Sequence, residues 1–174
     1  NPISMTGTVS TNGITSERST VTPGATEMTE SFFRRVVVPV ASPDDAEATA
    51  ATLVPYVEGT DSTVIAVHVI EKAGGAPDKA SVKQREQWAQ EIFAAISDCF
   101  SDTGIALETK ILYGTDIATT VIDAAHELDA SAIAFIPRDG SRWRKLLTGD
   151  VAHNLVKNTH VPILVLSDRE VSEE

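Results

Sequence analysis

Arg35-Val36-Val37-Val38-Pro39-Val40-Ala41-Ser42-Pro43-Asp44-Asp45 is the stretch that decides the fold class. Its first half is a β-branched run without polar alternation, the pattern of a strand buried on both faces. Its second half is a helix start. Ser42 suits the N-cap, Pro43 the first helical position, and Asp45 the acid that reaches back to close a capping box. The helix continues through Ala46, Ala50, Leu53 and Val54 toward Val57, and Gly59-Thr60-Asp61 turns the chain. A doubly buried strand leading directly into a helix opens an α/β sheet.

The same alternation continues downstream. Thr63 to Ile70 reads as a second strand, and Glu71 to Lys79, with Gly74-Gly75 and Pro77, as a loop. A long helix is expected from near Ser81, with Gln84 in the capping-box position. Trp88, Ile92, Phe93, Ile96 and Phe100 recur along it at helical spacing and should face the sheet. Gly104 ends it. Ile105 to Tyr113 alternates as a third strand. Gly114-Thr115-Asp116 opens a third helix carrying Ile117, Val121, Ile122, Ala125 and Leu128, and Thr115 and Asp116 can cap it or donate into the cleft, capping being the default. Ser131 to Ile136 is a fourth strand, Pro137 to Leu147 a loop, Thr148 to Asn158 a fourth helix, and Pro162 to Leu166 a fifth strand.

Strands alternating with helices across short turns imply right-handed crossovers and a parallel sheet covered on both faces. In such sheets ligands bind beyond the carboxyl ends of the strands, where the winding reverses. Function is therefore expected after Val40 and after Ile136.

Residues 31–168 form the one domain, between a Ser-, Thr- and Gly-rich arm (1–30) and a short acidic tail (169–174). The arm has no apolar period and reads as flexible. Two origins stay open for it: an expression remnant before Met5, or a linker from a preceding membrane domain. The lone Cys99 excludes an internal disulfide, fits a reducing compartment, and inside a helix should act as a small packing residue. No apolar run reaches the roughly 20 residues of a membrane span, and no signal-peptide pattern opens the chain. A cytoplasmic protein without membrane insertion is expected. The 25 acidic residues against 14 basic ones, a formal charge of -11, disfavour nucleic acid, whose phosphates demand cations.

Catalytic patterns are absent. Asp139-Gly140-Ser141-Arg142-Trp143 lacks the flanking glycines of a nucleophile elbow. His68, at the end of a buried strand, reads as a hydrogen-bonded core histidine. His153 and His160 lack the i, i+4 spacing of a metal pair, and His126 belongs to another helix. Gly74-Gly75 and Gly114 stand outside any dinucleotide fingerprint. No enzyme and no metal are expected.

As an ordered set, Val36 to Val40, Val67-His68-Val69, the Tyr113-Gly114 turn, Gly140 through Gly149, and Val161 to Leu166 resemble a universal stress protein (UspA) domain. The resemblance spans Arg34 to Leu166. It implies an α/β fold, flavodoxin-like and Rossmann-like (the adenine nucleotide alpha hydrolase-like group): a five-stranded parallel sheet of order 3-2-1-4-5 with helices on both faces. It also implies a homodimer, and the apolar edge Val161-Leu166 is the expected contact.

The ATP-binding branch of that family places an Asp after the first strand, a Gly-x-x-Gly turn after the fourth, and a Gly followed by Ser or Thr at the last helix. All three are altered. Ala41 stands at the Asp position, Pro137 replaces the first Gly, and Asp150 follows Gly149 after a loop one residue shorter than the family's. A carboxylate at a helix start takes up the local donors itself. At an effective ε near 20 it would repel a phosphate charge 4 Å away by about 4 kcal/mol. The expectation is a non-catalytic stress-response domain with no cofactor, one that does not bind ATP in the family manner.

Arg138, Arg142, Arg144 and Lys145 nevertheless gather positive charge on the same loop. A site for a small anionic effector and a loop neutralised by Asp139 and Asp150 are both open. Candidate cleft residues are Pro39, Val40, Ala41, His68, Arg138, Gly140, Ser141, Gly149, Asp150 and Val151. The alternatives are an ATP- or AMP-binding protein with weak or no hydrolysis, and the soluble regulatory domain of a transporter.

Overall fold

The computed structural model describes residues 32–72, 79–136, 153, 157 and 159–167. The arm, the loop glycines Gly74-Gly75 and the whole stretch from Pro137 to Val151 lie outside the described residues. Eight elements follow in chain order: β1 (Arg35–Pro39), α1 (Pro43–Val57), β2 (Thr63–Glu71), α2 (Lys79–Phe100), β3 (Ala106–Gly114), α3 (Ile117–Glu127), β4 (Ala132–Phe135) and β5 (Ile163–Val165). Every strand pairing is parallel, and the order is β3-β2-β1-β4-β5.

Alternation along each strand divides the core in two. Val36, Val38, Val64, Ala66, Ala132 and Ala134 pack with Ala46, Ala50 and Leu53 of α1 and Ile92, Phe93 and Ile96 of α2. Val37, Ile65, Val67, Ile133 and Phe135 point the other way, onto Ala118, Val121, Ile122 and Ala125 of α3. Helices thus cover both faces, and a β1 valine on either side is fully buried. Each such side chain contributes about 1.5–3 kcal/mol by leaving water.

The start of α1 follows the expected chemistry with one shift. Ser42 is extended and its Oγ accepts from Asp45 N–H at 3.1 Å. The returning carboxylate goes one residue further back than a capping box requires, to the N–H of Ala41 at 2.9 Å. Ser42→Ala should cost about 1 kcal/mol in urea denaturation, the usual worth of an N-cap.

The expectations for α2 need three corrections. The helix already runs from Lys79, so Ser81 lies inside it and is not its N-cap. Its buried stripe is Ala89, Ile92, Phe93, Ile96 and Phe100, while Trp88 is 45% exposed. At about 100° per residue Trp88 sits on the shoulder of that stripe. Cys99, about three turns further on, shares that shoulder and is exposed, not packed. Partial desolvation, then the charges of Glu47 and Asp98, raise its thiol pKa. Iodoacetamide should therefore alkylate Cys99 more slowly than an unstructured cysteine peptide, and Glu47→Gln should speed the reaction.

The fifth strand is less exposed than its apolar run suggests. Val161 and Leu166 are buried, Ile163 and Leu164 partly so, and Pro162 and Val165 are exposed, Val165 at 55%.

Candidate functional site

β1 bonds its two neighbours with alternate residues. Arg35 accepts from Ser131 N–H on the β4 side at 2.7 Å, and Val40 donates to Val67 on the β2 side at 2.9 Å. By this alternation Val37 and Pro39 face β4. Proline has no N–H, so the β1–β4 ladder cannot continue past it. The register confirms the break: β1 pairs with β4 only at Val36↔Ala132 and Val37↔Ile133, while its pairing with β2 runs through Pro39↔Val67. Pairing between β1 and β4 thus ends short of their carboxyl ends, where the winding direction of the sheet also reverses. That is where a sheet so wound is expected to take a ligand; Val40 and Ile136, which follow β1 and β4 there, are both buried, and Ala41 is partly exposed.

The β1 wall is closed on itself. Val40 N–H goes to Val67, and its carbonyl accepts from His68 Nδ1 at 2.8 Å. A carbonyl can only accept, so Nδ1 carries the proton. His68 is buried at 8% exposure, the hydrogen-bonded core residue expected of it. The N–H of Ala41 is held by Asp45, and residue 41 offers no side-chain carboxylate of its own.

Four of the ten candidate residues are thus brought together here: Pro39, Val40, Ala41 and His68. Arg138, Gly140, Ser141, Gly149, Asp150 and Val151 lie outside the described residues.

Two features escaped the sequence. His126 of α3 stacks on His160 before β5, with ring centroids 6.1 Å apart, and accepts from His160 N–H at 3.4 Å. Among the described residues, however, no group of three potential ligands could hold a metal. The second is a cavity of about 420 Å³ at the carboxyl ends of β1 and β2, lined by Ala41, His68, Glu71, Lys72, Arg85, Trp88 and Thr115 among others. A loop charge after β2 and a helix charge on α2 meet there only because the crossover folds α2 back over the sheet. Asp116 is the N-cap of α3, accepting from Thr119 N–H at 2.8 Å, as expected. No helix among the described residues is long and apolar enough to cross a membrane.

Comparison with known proteins agrees with this geometry. A universal stress protein of Methanocaldococcus jannaschii is 23% identical over 144 residues, covering 79% of this chain and 84% of the relative. A solved universal stress protein from Archaeoglobus fulgidus in complex with dAMP aligns at TM-score 0.54 and 19% identity, covering 78% of this chain and 98% of that one. Another, a universal stress protein in complex with cAMP, aligns at 0.59 and 16%, covering 79% and 99%. At these identities the two structures bear on the fold. The sequence profile of the universal stress protein family matches residues 32–167, a span that holds every element from β1 to β5, and the chain belongs to that family.

Proposed function

We propose that this chain is a non-catalytic, homodimeric stress-response module that does not hold ATP through the carboxylate its family places after the first strand. One observation carries the reading. Residue 41 is alanine, its N–H is occupied by Asp45 at 2.9 Å, and the neighbouring Val40 carbonyl is occupied by His68. The wall that would grip an adenosine through a carboxylate spends its polar groups internally, so a ligand gains few hydrogen bonds there. In the sequence Asp150 follows Gly149, where the family resemblance implies Ser or Thr.

The dimer rests on the contrast between the two sheet edges. β3 carries exposed Glu108 and Lys110, a common defence of an edge strand, whereas β5 presents Val165 with no charge on Ile163–Val165. Pairing of two β5 edges about a two-fold axis would cover it. Val165→Lys should shift the protein to monomer in sedimentation equilibrium.

The second reading, a nucleotide-binding protein with weak or no hydrolysis, is favoured by the cAMP and dAMP complexes of the two structural relatives. Thermal shift with ATP, AMP and cyclic AMP separates the two. Under the first reading wild type shows no saturable rise with ATP, and Ala41→Asp introduces one or leaves the curve flat. A saturable rise in wild type would overturn it.

A further inference from the structure

His126 lies in the last turn of α3, and His160 three residues before β5. α3 ends just before β4 begins, and β4 and β5 run parallel. The two histidines therefore meet at the amino ends of the strands, opposite Ala41 and His68. Their ring centroids are 6.1 Å apart, and His160 N–H donates to His126 Nε2 at 3.4 Å. A ring nitrogen that accepts carries no hydrogen, so His126 is neutral here, with its hydrogen on Nδ1. Protonation puts a hydrogen on Nε2 and abolishes the bond. Imidazole is the side chain that makes this change between about pH 5 and 8.

What the bond holds is the entry to a short strand. β5 has three residues, each registered against β4. Just after His160, Val161 N–H goes to Thr159 Oγ1 at 3.0 Å, and the Pro162 carbonyl accepts from Ile133 N–H at 2.9 Å. With so few ladder bonds, one more at the entry is a sizeable share. The charged groups around the pair come from several elements. α3 carries Asp123, one turn before His126, and Glu127 beside it; Asp129 follows, its N–H on the His126 carbonyl at 3.3 Å. β3 brings Lys110 and Glu108, the latter paired with Arg35 at 3.4 Å. β2 and β4 carry no charge near their amino ends, and Lys157 lies three residues before His160. Among the described residues no carboxylate pairs with either ring. Nothing already in place takes over from the bond when His126 gains a proton.

We propose that this pair is a pH-sensitive latch on β5: neutral His126 holds the entry to the strand, and protonation frees it. The bond is present at neutral pH and lost as the pH falls. β5 carries the exposed Val165, so the latch governs how firmly an open edge strand is held to the sheet. It stands whether or not two such edges pair.

The test is amide hydrogen exchange of the full chain at about pH 7.5 and 5.5, with each rate divided by that of an unstructured peptide at the same pH, alongside imidazole 15N spectra. At the higher pH His126 should show an unprotonated Nε2. Protection of the His160, Ile133 and Leu166 amides should fall about fivefold at the lower pH, the worth of one hydrogen bond. The Val40 amide, bonded to Val67 at the far end of the sheet, should keep its protection. His126→Phe keeps a ring but no acceptor, and should show the lower protection at both pH values. His160→Ala keeps the backbone N–H, and should retain the pH dependence. Both substitutions fall on exposed positions. A hydrogen on Nε2 at the higher pH, β5 protection that does not change with pH, or the same change in His126→Phe would each overturn the latch.

Discussion

Phe135→Ala should lower the unfolding free energy by about 3–5 kcal/mol, the range for emptying a fully buried phenylalanine site. Phe135 is 1% exposed and sits with Ile133 and Val67 over Val121 and Ile122 of α3. It is the last residue of β4, and β5 docks beside it through Leu166 N–H to its carbonyl at 2.9 Å. The void would therefore open at the end of the sheet where β1 and β4 no longer pair. A domain of this size has about 5–15 kcal/mol in total, so the variant should lose from about a fifth of its stability to all of it in urea melts. Trp88→Leu, equally large a change on paper, should move the midpoint little, because that ring is half outside. If the two cost the same, the division between core and shoulder drawn for these residues is wrong.

Gly114→Ala should cost about 2 kcal/mol, although alanine is normally the better residue. The position does not need glycine for its backbone angle; it needs the space. A Cβ there would overlap the Thr120 hydroxyl, and turning Thr120 gives no escape, since its Cβ and Cγ2 lie 3.0 and 3.1 Å from the same point. Thr120 is held by a bond from its hydroxyl to the Asp116 carbonyl at 2.5 Å. Gly114 is held in turn by Lys72 N–H on its carbonyl at 2.9 Å. Neither side can retreat. The check is a double-mutant cycle: Thr120→Ala in the Gly114→Ala background should recover about 1 kcal/mol. Additive costs would show that the contact does not limit the turn.

These two positions differ in how far they could be read in advance. Phe135 belongs to an apolar run whose burial follows from its period. Gly114 in sequence is a turn glycine among others, and the clash that demands it comes from a side chain on the next helix. The break in β1–β4 pairing divides in the same way. Pro39 lies in plain sight in the sequence. That the missing N–H points at β4 rather than β2 depends on the pairing phase, which appears only once β1 has its neighbours. Asp45 was legible as a cap acid; its choice of Ala41 over Ser42 was not.

From the sequence alone came the strand and helix succession of the described residues, the two-faced burial of β1, the caps of α1 and α3, and a family resemblance that carried the strand order. Such features rest on period and on neighbours in the chain, which a local pattern records. The outward turn of Trp88 and Cys99, the meeting of His126 with His160, and the cavity shared by Lys72 and Arg85 were decided by tertiary structure. Shoulder positions on a helix are buried or bare according to where the sheet beneath them ends, and charges far apart in the chain meet only when a crossover folds one over the other. No local pattern contains that distance.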